Sequence, residues 1–132
     1  MSEEVRTTSS TGGEKGVKIE RYDLLPVEAL RQLAEHYGRG AEKYDDNQYR
    51  KGYEFSKSYA AMQRHLNQWW GGENNDEELG SSHLVAAAWH CLTLLTFMDE
   101  HPEFDDRFTR PTGTNYSEIR YNDKTGKIEV GK

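Results

Sequence analysis

Residues 64–89 read RHLNQWWGGENNDEELGSSHLVAAAW. A helical run carrying Arg64 and His65 stops at Gly71-Gly72, the residue type that most readily ends a helix. A dense acidic turn follows over 73–80. Ser81 or Ser82 then caps another helical run, which opens with His83. Two helices joined in this way gather carboxylates and histidines at their junction, and oxygen-rich clusters of that kind can hold a divalent metal against phosphates.

Working upstream, Ser56 is placed to cap the helix that ends at Gly71, with Tyr59, Met62, Leu66 and Trp69 as its apolar stripe. Before it, Pro26 suits a first helical turn, and Leu30, Leu33, Ala34, Tyr37, Ala41 and Tyr44 recur at helical spacing. Residues 45–47 end that helix, and 47–54 form a loop. Residues 17–25 read as an extended segment, and 1–16, rich in Ser, Thr, Gly and Glu, as a disordered tail. Downstream, Leu84, Ala88, Cys91, Leu92, Leu95 and Met98 are expected to face the core, with Pro102 closing the helix. Residues 118–130 alternate around turn chemistry at 122–126 and predict a β-hairpin. The expected fold is all-α: a helical bundle with a small C-terminal β-hairpin and a flexible N-terminal tail. Residues 17–132 form one domain.

The chain has 132 residues, 30% of them charged and 34% hydrophobic, so its single core is thin and association into a homodimer or homotetramer is expected. A net charge of -6 argues against non-specific binding to a nucleic-acid backbone. An acidic protein still binds nucleotides where a metal bridges the two negative partners. The single cysteine, Cys91, reads as a buried small hydrophobe in a chain from a reducing compartment. With neither a signal-peptide pattern nor a membrane-length apolar run, the expected location is cytoplasmic.

Several residues carry candidate chemistry. Glu73 and Asp76 form an ExxD pair. If the helix continued through them, both carboxylates would lie on one side of a turn, suited to Mg²⁺; otherwise they belong to a solvated acidic loop. His65 and His83 both stand where they can face the acidic turn, as ligands or as donors to phosphate. His90 lies about 10 Å beyond His83 along the helix and reads as a satisfied interior histidine. Glu28, Glu35 and Glu42 form one acidic stripe, either solvated or a source of further ligands. The small patch Ala86-Ala87-Ala88 suits close helix packing or a slot for a flat base stacked on Trp69, Trp70 or Trp89. Lys43, Lys51 and Arg64 are the cations best placed to meet phosphate, although none sits in a Gly-rich phosphate loop.

Taken in order, RYDLLPVEAL, YGRGAEKYDDNQYRKG and the opening stretch resemble a phage family of dATP/dGTP diphosphohydrolases. That family includes the MazZ-type proteins, relatives of the all-α MazG pyrophosphohydrolases. The resemblance spans about residues 18–98. It rests on Gly40, Ala41, Lys43 and Tyr44, then Arg64-His65-Leu66, then Gly72, Glu73 and Asp76, then Ser82-His83-Leu84. It implies a MazG-like bundle, oligomeric, that uses Mg²⁺ or Mn²⁺ to cut a purine (deoxy)nucleoside triphosphate between its α- and β-phosphates. The expected substrate is dGTP or GTP, giving the monophosphate and pyrophosphate for a phage pool that supplies 2-aminoadenine DNA. The EExxE motif usual in MazG proteins is absent, and Gln63, Arg64, His65 and Asn67 stand in its place. Glu73, Asp76, His83 and His65 are therefore expected to hold metal, and Glu35 or Glu42 to orient the attacking water. Lys43, Lys51 and Arg64 would meet phosphate, with Asn47, Trp70 and Trp89 reading the base. The competing expectations are dATP or a damaged nucleotide as substrate, or a non-catalytic helical adaptor that binds a host protein.

Overall fold

The computed structural model describes residues 5–109 and 119–130. Among them are three α-helices, α1 (Val27–Lys43), α2 (Phe55–Trp70) and α3 (His83–Glu100). Two separate two-stranded antiparallel ribbons flank them in sequence. The first pairs β1 (Val5–Thr8) with β2 (Glu14–Val17), and the second pairs β3 (Ile119–Asn122) with β4 (Lys127–Val130). The C-terminal hairpin stands where the alternating pattern put it. The N-terminal one replaces the expected tail. Its strands have little to bury, but Ser9 closes the turn by accepting the Gly13 N–H on its hydroxyl at 3.1 Å, and its own N–H donates to the Gly13 carbonyl at 2.7 Å. Local turn chemistry, which a reading based on apolar content passes over, supplies the pairing.

The helices begin and end for local reasons. Pro26 precedes the first turn of α1, and Gly71 and Gly72 follow α2, Gly72 with φ 105°. The Ser82 hydroxyl caps α3 by accepting the Leu84 N–H at 3.2 Å. Ser56 does not cap α2. That position belongs to Glu54, and Ser56 instead donates its backbone N–H to Asp106 at 2.9 Å, with a second bond from its hydroxyl.

α3 packs on α2 and α1 through its small and polar face, not its large apolar one. Ala86, Ala87, Thr93 and Phe97 are buried there, whereas Leu95 is 65% and Met98 54% exposed. Leu84 and Leu92 also face outward, as does Cys91, whose thiol lies 3.2 Å from the Met62 sulfur. The sequence-based assignment of that face, and of a buried Cys91, is thus reversed. A helix apolar on all sides gives periodicity nothing to discriminate. Phe97, fully buried, anchors the far end: Tyr53 meets it edge-on at 5.0 Å, and Phe55 stacks at 6.2 Å.

Two polar ties fix the long connection between α1 and α2. Ser58, completely buried on α2, bonds the Tyr53 hydroxyl at 2.7 Å and His90 Nδ1 at 3.0 Å. At the end of α3, His101 Nε2 donates to the Arg50 carbonyl at 2.6 Å. Gly52 (φ 88°) lets this clamp close, because a Cβ there would come 2.8 Å from the His101 and Phe104 rings. Among the described residues no helix is long and apolar enough to cross a membrane.

Two outcomes test this packing. Gly52→Ala combines a positive φ with a ring clash and should cost about 2–3 kcal/mol in urea unfolding; an unchanged midpoint would contradict the clamp. Burial pushes the His90 imidazole down to about 4. The unfolded chain therefore takes up a proton near pH 6.5 that the folded chain refuses. The stabilisation is complete above that pH and is lost as pH falls towards 4, by roughly 3 kcal/mol. The melting temperature should fall between pH 7.5 and 5, and His90→Asn, which keeps a polar atom opposite Ser58, should flatten that slope.

Candidate metal centre and nucleotide cleft

The connection over 71–82 is folded back onto the start of α3 by its own backbone. The His83 N–H donates to the Asn74 carbonyl at 2.9 Å, the Asp76 N–H to the Ser81 carbonyl at 2.8 Å, and the Gly80 N–H to the Asp76 carbonyl at 2.9 Å. Asn75 and Ser82 form an antiparallel bridge across it. Because α2 ends at Trp70, Glu73 and Asp76 do not share a helical turn, and they part company. Asp76 falls inward against His65 of α2 and His83 of α3, the three offering ligand atoms within 4.8 Å of one another. Glu73 stays outside that group, with its carboxylate 3.2 Å from His83 Nε2.

His65 and His83 face each other with their Nδ1 atoms 2.9 Å apart. Two Nδ1–H groups cannot meet at that distance, so one ring donates and the other accepts. Burial lowers the His65 pKa, and Asp76 pulls in the opposite direction. His83 is fully buried, and its Nε2 lies close to Glu73 but off the line a hydrogen bond requires, so it has no hydrogen-bond partner among the described residues. Two imidazoles and a carboxylate with ligand atoms within 4.8 Å of one another fit a divalent cation, which would take Nδ1 of His83 and leave its Nε2 facing Glu73. Glu73 then stands where an outer carboxylate steadies a ligating ring.

This group adjoins a cleft of about 770 Å³ formed by α1, the connection after it, α2, the acidic turn and α3. His65 and Asp76 reach its wall, together with Lys43, Arg64, Asn47 and Trp89 from the sequence-predicted set. Lys43 is bonded to Glu78 across the mouth. Asn47 holds a left-handed backbone (φ 57°). Ala86, 2% exposed, forms part of the floor.

The remaining predicted residues lie elsewhere. Glu35 is held by Arg31 and, at 3.3 Å, by Arg39 on the solvent side of α1, and Glu42 is exposed off the wall. The acidic stripe is a solvated face because the turn of α1 that meets the cleft carries His36, Tyr37 and Gly40 instead. Lys51 also lies off the wall, and Trp70 is 83% exposed against Trp69.

Sequence reasoning missed several wall residues. Asp45 and Asp46 looked like a helix stop, and Tyr37 like core. Tyr49 meets Trp89 edge-on at 5.4 Å, and Tyr37 lies 6.1 Å from the same indole. His36, 9% exposed, bonds Ser81 at 2.8 Å. The advance signal for Asp45, Asp46 and Tyr49 was that aromatic and acidic types crowd into 44–49; His36 gave none. Four carboxylates (Asp45, Asp46, Asp76, Glu78) face two cations (Lys43, Arg64) on the wall, which makes the cleft acidic.

A family model described as dATP/dGTP diphosphohydrolase, N-terminal, matches residues 9–107, about three quarters of the chain. No curated protein and no solved structure gives a significant match. The matched span covers α1, α2, α3 and every residue of the metal group and cleft. The chain belongs to the dATP/dGTP diphosphohydrolase family and is a hydrolase of that general kind.

Proposed function

We propose that the protein is a metal-dependent purine (deoxy)nucleoside triphosphate pyrophosphohydrolase that acts on dGTP or GTP to release the monophosphate and pyrophosphate. One observation carries the metal dependence: the cleft is large enough for a nucleotide, yet its carboxylates outnumber its cations two to one. A triphosphate brought into such a wall without countercharge would be repelled. His65, Asp76 and His83 would hold the ion, and two imidazoles beside one carboxylate favour Mn²⁺ over Mg²⁺. A bound ion of this kind neutralises phosphate oxygens and lowers the pKa of a coordinated water.

The chain's own groups divide the remaining work. Arg64 and Lys43 meet phosphate oxygens, Lys43 by exchanging its bond to Glu78 for one to substrate. Asp45 and Asp46, which are in no ion pair among the described residues, take over from Glu35 and Glu42 as the carboxylates that orient water. Trp89, held edge-on by Tyr49, gives a purine an aromatic wall, and Asn47 offers an amide to its edge. By its resemblance to MazZ-type proteins, the enzyme would feed a phage nucleotide pool for 2-aminoadenine DNA. The outward face of Leu84, Leu92, Leu95 and Met98 supports a homo-oligomer, because an uncovered apolar face of this kind is unfavourable in water.

Incubation of the protein with each common (d)NTP and MnCl₂, followed by ion-exchange separation, should yield dGMP and pyrophosphate from dGTP. Release of dGDP and orthophosphate would rule out cleavage between the α- and β-phosphates, and faster turnover of dATP would reassign the base. Asp76→Asn should cost more than the ~10–100-fold typical of losing an outer partner, the loss expected for Glu73→Gln. In sedimentation, Leu95→Glu combined with Met98→Glu should give a monomer from a larger wild-type species; a wild-type monomer would remove the oligomer from the proposal.

A further inference from the structure

His36 belongs neither to the metal group nor to any motif in the chain, yet the structure surrounds it with specific polar partners. Its Nδ1 lies 2.8 Å from the Ser81 hydroxyl, and the same hydroxyl receives Arg39 Nη1 at 2.8 Å. Ser81 is 4% exposed, so its hydroxyl hydrogen has no solvent to turn to.

The donor inventory settles the protons. A guanidinium donates only, so Ser81 accepts from Arg39. The hydroxyl hydrogen of Ser81 then has one acceptor in reach, the lone pair of His36 Nδ1. An Nδ1–H on His36 would leave two donors aimed at one oxygen and a buried O–H unsatisfied. The neutral ring therefore carries its hydrogen on Nε2, the nitrogen that makes no hydrogen bond among the described residues of a ring lining the cleft. Burial first, and the Arg39 charge second, lower the His36 pKa and favour the neutral ring. An Nε2–H has no lone pair for a metal, so His36 stays out of the ligand set even though His65 and Asp76 share its cleft.

We propose that the Arg39–Ser81 pair locks His36 as an uncharged Nε2–H donor that contacts a phosphate oxygen of the bound triphosphate. Ser81 and Arg39 are positioning residues, and His36 is the group that touches substrate. Arg39 is itself steadied by Glu35 at 3.3 Å, which gives a member of the acidic stripe a use at one remove from the cleft. The contact rests on the nucleotide reading above, whereas the tautomer does not.

Long-range ¹H–¹⁵N correlation spectra of the histidine-labelled full chain at pH 7.5 test the lock without substrate. His36 should show a protonated Nε2 and a bare Nδ1, and Ser81→Ala should turn it into a tautomer mixture. An Nδ1–H ring in the wild type, or no change in Ser81→Ala, overturns the lock. Adding the α,β-methylene analogue of dGTP with Mn²⁺ replaced by Mg²⁺, to avoid paramagnetic broadening, should shift the His36 Nε2–H resonance, and deoxyguanosine should not. An analogue that binds and leaves that resonance in place overturns the contact alone. An analogue that does not bind at any concentration overturns the nucleotide reading and the contact with it, while the tautomer result still stands or falls separately. In turnover, His36→Phe should lose about 10–100-fold in kcat/KM, the scale of a hydrogen bond to a charged group. His36→Gln, which returns an N–H near the Nε2 position, should recover most of that loss at a similar melting temperature. Equal losses in both variants overturn the donor role.

Discussion

The return of the acidic connection onto the first turn of α3 is the constraint on which the site depends. Three backbone hydrogen bonds and the bridge between Asn75 and Ser82 reverse the chain within 71–82. Without that reversal Asp76 would be one more surface acid in an acidic run. With it, Asp76 sits against two histidines from different helices, and Ser81 arrives beneath His36 of a third. Backbone bonds can hold such a turn without apolar burial because each satisfies a donor that would otherwise need water. The turn itself carries glycine at the two positions with positive φ, Gly72 and Gly80.

The second structural consequence is the division of α3 into two faces of different chemistry. The inward face must allow close approach of α1 and α2, so it carries alanines, Thr93 and histidines, with Phe97 fully buried towards its C-terminal end. The outward face carries the volume. This inverts the usual arrangement, in which the large residues make the core, and it explains why the helix is so uniformly apolar. It has two surfaces to satisfy, one against its own chain and one that the isolated chain leaves exposed. Polar groups against that face are paired at Ser58, with Tyr53 and His90, and at Ser81, with His36 and Arg39, whereas Thr93 Oγ1 and His83 Nε2 are buried without a hydrogen-bond partner among the described residues.

These two features mark the limit of what the chain discloses as a string of letters. The start of α1, the end of α2 and the start of α3 were legible because Pro26, the paired glycines and Ser82 act locally, whereas Ser56 looked like a cap and is not one; the C-terminal hairpin was legible because alternation and turn residues coincide. The joining of His65 with Asp76 and His83 was anticipated, since all three cluster in the opening stretch. The separation of Glu73 from Asp76 was not, because it depends on the helix stopping at Trp70, and a three-residue spacing is silent on that. Glu35 and Glu42 looked useful by number, but a seven-residue repeat fixes only that they share a face, not which face. His36 gave no signal, because its partner Ser81 is 45 residues away and the hydrogen bond between them is a property of the fold.

The charge balance of the cleft ties these elements together. Of the five histidines, four stand around the metal group or beside it, and burial biases His36, His65 and His90 towards the neutral form. A wall built this way separates two tasks that a lysine-rich site would merge. On the proposed function, countercharge for a polyphosphate would come with a cation, whose binding the surrounding carboxylates favour, and direction would come from neutral donors that neither repel that cation nor pair off with the nearby acids. A lysine in the place of His36 would face Asp76 and be neutralised by it, or would compete with the ion for the same oxygens. An imidazole with its proton fixed by Ser81 does neither. The acidic composition of the whole chain is compatible with the proposed binding of a polyanion for the same reason: carboxylates on the wall would attract a cation first, and the phosphates would follow through it.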